Sequence, residues 1–116
     1  MTSEEHPYSL AFERDGIVYV SGAAAIDAEH NPILDDRECI EAAIDAVVNR
    51  LRPFGLGLEH VAKTTFFVTD VALRDEVNRQ YVERFAVPRP ARTFVEVTAI
   101  PYGARVALEA IAHRRT

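Results

Sequence analysis

Two apolar stripes limit what this chain can build. Ile40, Ile44, Val47 and Leu51 recur at helical spacing, and Leu73, Val77, Tyr81 and Phe85 follow one another at i+4 steps. Each predicted helix is apolar on one side only, so it must lay that side on another layer of structure. The first helix is expected to begin near Asp35 or Asp36, with Glu38 completing a relaxed capping box, and to end at Pro53 and Gly55. The second is expected over about residues 72 to 86, after a capping Asp70 and before Pro88.

The other layer comes from the β-prone runs. Residues 8 to 22, YSLAFERDGIVYVSG, hold two short runs around Asp15-Gly16, a strong hairpin signal. The segment AAAIDAEHNPILDD carries turn residues at His30, Asn31 and Pro32 and reads as a surface loop. HVAKTTFFVTD is rich in Val, Thr and Phe and reads as a strand. ARTFVEVTAIPYGARVALEAIAHR gives two more strands around a Pro101 to Gly103 turn. The order is ββαβαββ, an α+β arrangement with both helices on one face of a mixed sheet. Val95 and Val97 fall on one face of the fourth strand, and Phe94, Glu96 and Thr98 on the other. Apolar residues on both sheet faces of so small a chain point to self-association.

A chain of 116 residues, 48% hydrophobic and 27% charged, suits one domain over residues 1–116. Its start, MTSEEHPYSL, is acidic and lacks a signal-peptide pattern, and no apolar run is long enough for a membrane helix, so a cytoplasmic location is expected. A formal net charge of −5 with no basic cluster beyond HRRT argues against a nucleic-acid footprint. The lone Cys39 sits in a helical pattern and reads as a packed thiol. His6, His30, His60 and His113 are scattered, which argues against a metal site. GLGLEH follows a helix and reads as a turn, not as a phosphate loop. No serine lies in a G-x-S-x-G context.

One residue resists the structural pattern. Glu109 stands in VALEAIA, where every neighbour within three positions is Val, Ala, Leu or Ile, as in a strand buried on both faces. An unpartnered carboxylate in an apolar site costs several kcal/mol. Three explanations stand: a solvent-facing strand, an ion pair, or a functional acid. Arg92 is the best partner, since Pro88 and Pro90 force an extended approach, Ala91 is small, and a guanidinium holds a carboxylate through two parallel N–H bonds. It pairs either with Glu109 or Glu96 or with a ligand. Arg89 reads as loop-exposed.

The blocks YVSG (19 to 22), GLGLEHVAKTTFFVTD (55 to 70), VNRQY (77 to 81), PARTFVEV (90 to 97) and VALEAIA (106 to 112) resemble the RidA/YjgF family of reactive-intermediate deaminases. The match runs from about Pro7 to Arg114. The resemblance implies a chorismate-mutase-like homotrimer with clefts between subunits. It implies hydrolysis of enamines and imines such as 2-aminoacrylate to 2-keto acids and ammonia, with no cofactor or metal. Arg92 matches the arginine that grips the substrate carboxylate, and Glu109 the glutamate that positions the attacking water. Tyr8 matches a cleft tyrosine, Ser21 and Gly22 the pair whose backbone faces the ligand, and Asn78 an asparagine near the pocket, taken as structural support. Ala91 and Phe94, flanking Arg92, belong to the same pocket. Low dielectric around Glu109 is expected to raise its pKa, which suits proton transfer to and from water. Ala23, Cys39 and Phe94 depart from residues common in the family, and Phe94 favours a bulkier or more apolar substrate. A carboxylate-binding protein without catalysis, an aminomuconate-type deaminase and an RNA-cleaving or translation-inhibiting protein are the alternatives.

Overall fold

The structure, a computed structural model, describes residues 6–114. Its elements are β1 (Ala11–Arg14), β2 (Ile17–Ala24), α1 (Asp36–Leu51), β3 (Val61–Val68), α2 (Arg74–Arg84), β4 (Ala91–Glu96) and β5 (Val106–His113). This is the expected ββαβαββ order. Asp15 and Gly16 both take positive φ, 54° and 79°, and turn β1 back onto β2 with the twist an antiparallel pair needs. Asp35 caps α1 by accepting from the Glu38 amide at 3.0 Å. Asp70 accepts from the Ala72 amide at 2.9 Å and opens a single 3₁₀ turn, so α2 starts later than the sequence suggests and ends at Arg84.

The strands form one sheet in the order β1-β2-β5-β3-β4, antiparallel except for β3 with β4. The parallel pair follows from the α2 crossover, which returns the chain in the direction it left. Both helices lie over one face. The apolar stripe of α1 is fully buried there with Val18, Phe66, Val68 and Leu108, and Val77, Tyr81 and Phe85 extend the same cluster. Cys39 is buried within it, its thiol donating to the Asp36 carbonyl.

The opposite face of the sheet is open. Phe12 and Tyr19 are 48% and 46% exposed there, and Val95 is 38% exposed. On β5, Val106, Leu108, Ala110 and Ala112 point into the core, whereas Glu109 is exposed. The strand is therefore buried on one face only, the solvent-facing explanation of Glu109, and not on both faces as its run of apolar neighbours suggests. Ala107 and Ile111 made the sequence look doubly buried because they share the open face with Glu109.

One irregularity in the sheet matters below. Val20 pairs with Ala110 but the next pair is Ala23 with Leu108, so Ser21 and Gly22 together oppose Glu109 in a β-bulge.

Candidate functional site

Arg92 stands near the start of the edge strand β4, in register with Thr64 of β3. Strand alternation turns it to the helix side, with Phe94 two residues further on. Its guanidinium carbon lies 5.1 Å from the Tyr81 ring centroid and 5.8 Å from that of Phe94. Such contacts are each worth roughly 0.5–2 kcal/mol and restrict where the guanidinium sits. Tyr81 is itself held: its hydroxyl donates to the Pro90 carbonyl at 3.3 Å and lies 2.7 Å from the Thr64 hydroxyl. Burial pushes the Tyr81 phenol up and pulls the Arg92 guanidinium down from their ordinary values.

Among the described residues no carboxylate forms an ion pair with Arg92. Glu96 instead accepts from the Val71 amide at 2.7 Å. Both structural ion pairs considered for Arg92, with Glu109 and with Glu96, are thereby set aside. Asn78 is half-buried on α2, next to buried Val77. Ala91 lies on the open sheet face, away from the side occupied by Arg92 and Phe94.

Glu109 belongs to a second group. It is paired across the ladder with Thr65 on one side and faces the Ser21–Gly22 bulge on the other. Because Glu109 is exposed, the low-dielectric surroundings expected for it are absent from the single chain. The polar groups of Ser21 are consumed internally. Its amide donates to the Leu10 carbonyl, its hydroxyl to the Ser9 carbonyl at 2.7 Å, and its carbonyl accepts from Arg50 Nη1 at 2.8 Å. Within the single chain the Ser21 backbone groups are thus engaged, whereas Gly22 beside it is exposed. Tyr8, 51% exposed, lines a cleft of about 310 Å³ with Gly22 and Arg50.

The two groups do not meet within one chain. Arg92 is aligned through Thr64 with Ala110, two strands away, which is roughly 10 Å at ordinary strand spacing. Arg92 and Glu109 also point to opposite faces of the sheet. No small ligand can touch both in a single protomer. Tyr81 and Arg50 lacked any sign in the sequence: Tyr81 counts as one member of a core stripe, and Arg50 as an ordinary charge near a helix end. Among the described residues no three His, Cys, Asp or Glu side chains gather as a metal site would require, and no helix is long and apolar enough to cross a membrane.

The family model described as Endoribonuclease L-PSP matches residues 2–114. The chain belongs to that family. A RutC family protein of Sinorhizobium fredii is 34% identical over 108 residues, covering 90% of this chain and 85% of that one. The mouse 2-iminobutanoate/2-iminopropanoate deaminase is 34% identical over 109 residues, covering 91% of this chain and 80% of that one. The crystal structure of RidA from an Antarctic Psychrobacter superposes with a TM-score of 0.86 at 28% identity, covering 93% of this chain and 89% of that one. Membership in the L-PSP family agrees with the RidA/YjgF resemblance carried by the PARTFVEV and VALEAIA blocks, and the L-PSP fold with its one sheet and two helices is the fold observed.

Proposed function

We propose that this chain hydrolyses 2-imino and 2-enamino acids such as 2-aminoacrylate to 2-keto acids and ammonia, in clefts completed between copies of a homotrimer. The observation that carries the proposal is Arg92, its guanidinium carbon 5.1 Å and 5.8 Å from the Tyr81 and Phe94 ring centroids and with no carboxylate partner among the described residues. An oriented, partly desolvated guanidinium is suited to a bidentate carboxylate ligand. The names of the deaminases among its relatives support the same reaction.

Because Arg92 and Glu109 face opposite ways, one copy supplies Arg92 and Phe94, with Asn78 as support, and its neighbour supplies Glu109, Gly22 and Tyr8. Covering the open face by a second copy would also bury Phe12 and Tyr19 and place Glu109 in drier surroundings. Chemically, the enamine first tautomerises to the imine. Water then adds to the C=N carbon as Glu109 takes its proton. Return of that proton to nitrogen completes the carbinolamine; its hydroxyl proton then passes through Glu109 to the amine, the C–N bond breaks, ammonia leaves and the C=O bond forms. Water is the only co-reactant, and orientation by Arg92 supplies much of the rate for an already electrophilic substrate. Phe94 in the wall favours a side chain larger or more apolar than that of 2-aminoacrylate.

The test is keto-acid and ammonia release when the protein is added to a serine or threonine dehydratase reaction. Acceleration that disappears in Arg92→Ala is expected. Spontaneous rates with wild-type protein across several amino acids would leave a carboxylate-binding protein in place of an enzyme.

A further inference from the structure

The cleft beside the Ser21–Gly22 bulge holds a cation that the reaction above does not use. Arg50, near the end of α1, reaches across to the Ser21 carbonyl, which occupies one of its N–H groups. Among the described residues no carboxylate pairs with it. Among the described residues the cleft lining contains Arg50, His30 and Tyr8 but no Asp or Glu, although acidic residues outnumber basic ones, 18 to 13, along the chain. Burial lowers the Arg50 pKa, the sign of a guanidinium partly stripped of water.

A second feature marks the same cleft. His30 and Tyr102 come from separate loops, each with φ of 67°, and their rings stack at 5.3 Å. Left-handed backbone is costly for such residues and is concentrated where a site demands it. Together they give the cleft an aromatic wall. Its volume of about 310 Å³ admits part of a small molecule and little more.

We infer that Arg50 binds a second carboxylate, so that the preferred substrates are dicarboxylic 2-imino acids, held at one end by Arg92 of one copy and at the other by Arg50 of its neighbour. The inference rests on the proposed deaminase site and names its substrate class. It also accounts for an arginine kept in a half-buried position where an apolar residue would pack without desolvation cost.

Calorimetric titration with two product-like probes separates the claims. Wild-type protein is expected to bind 2-oxoglutarate at least about tenfold more tightly than 2-oxobutanoate, as one added charge-assisted pair predicts. Arg50→Gln should bring 2-oxoglutarate down to the affinity of 2-oxobutanoate. Arg50→Lys, which keeps the charge without the fork, should lose most of the preference and covers the case in which Arg50→Gln does not fold. Equal binding of both probes by wild type, or a preference that survives in either variant, would overturn the inference. Arg92→Ala reports separately on the deaminase site, since undiminished 2-oxobutanoate binding there would remove the anchor while leaving the Arg50 comparison readable.

Discussion

Tyr81→Phe deletes one oxygen and should test how Arg92 is held. The Tyr81 hydroxyl is 2.7 Å from the hydroxyl of Thr64, which is only 1% exposed, and 3.3 Å from the Pro90 carbonyl. Removing it leaves the Thr64 hydroxyl buried without its partner, a cost of about 1–3 kcal/mol. For a domain near this size that amounts to a Tm loss of roughly 4–20 °C. The ring face remains, so the stacking of Arg92 at 5.1 Å should survive. Urea unfolding measures the cost, compared at one protein concentration because the proposed association would contribute to stability. The double variant Tyr81→Phe/Thr64→Val removes both hydroxyls and should be no less stable than Tyr81→Phe alone, since the Thr64 hydroxyl is then not stranded while the Pro90 carbonyl is equally affected in both. A loss below about 0.5 kcal/mol for Tyr81→Phe, or a double variant as unstable as the two single losses added, would refute the assigned role of this hydrogen bond.

Acid sensitivity should include a contribution from Glu76 on α2. Arg79 and then Gln80 hold the Glu76 carboxyl below its usual range, so its stabilising effect is present above the ordinary glutamate value of about 4.3 and is lost as pH falls through the lowered folded value. Thermal melts of Glu76→Gln should show a smaller difference between neutral and acid pH than wild type; an unchanged difference would rule Glu76 out as a contributor. Assembly should depend on the open sheet face. Tyr19→Asp, at a position already 46% exposed in the single chain, should leave the fold intact by circular dichroism and yield monomers by sedimentation. A trimer of undiminished stability would mean that another surface holds the copies together.

The local parts of the fold were legible and the relations between distant parts were not. Asp35 and Asp70 cap as their sequence context implies, and Asp15-Gly16 turns the hairpin, because each signal acts within a few residues. The orientation of Glu109 was not legible. Alanine and isoleucine at 107 and 111 give the outward positions of β5 the same apolar character as the inward ones, so period-two alternation disappears. The bulge that sets Ser21 and Gly22 against Glu109 is a matter of register, fixed by pairing partners nearly 90 residues away in the chain. Arg92 was recognisable as a rigidly approached cation, but its separation from Glu109 depends on β3 lying between β4 and β5 and on the two side chains taking opposite faces of the sheet. Tyr81 showed the same limit, since a helical stripe reveals that a ring is buried and says nothing of where its hydroxyl goes.

The most direct test of a site shared between copies is complementation. Arg92→Ala and Glu109→Gln should each be inactive alone, whereas a mixture refolded or coexpressed at equal amounts should regain about a quarter of the wild-type rate, because each mixed trimer then holds one site with both native residues. A mixture no more active than its two parents would contradict the account, since it would mean that both residues act from the same chain or that neither acts at all.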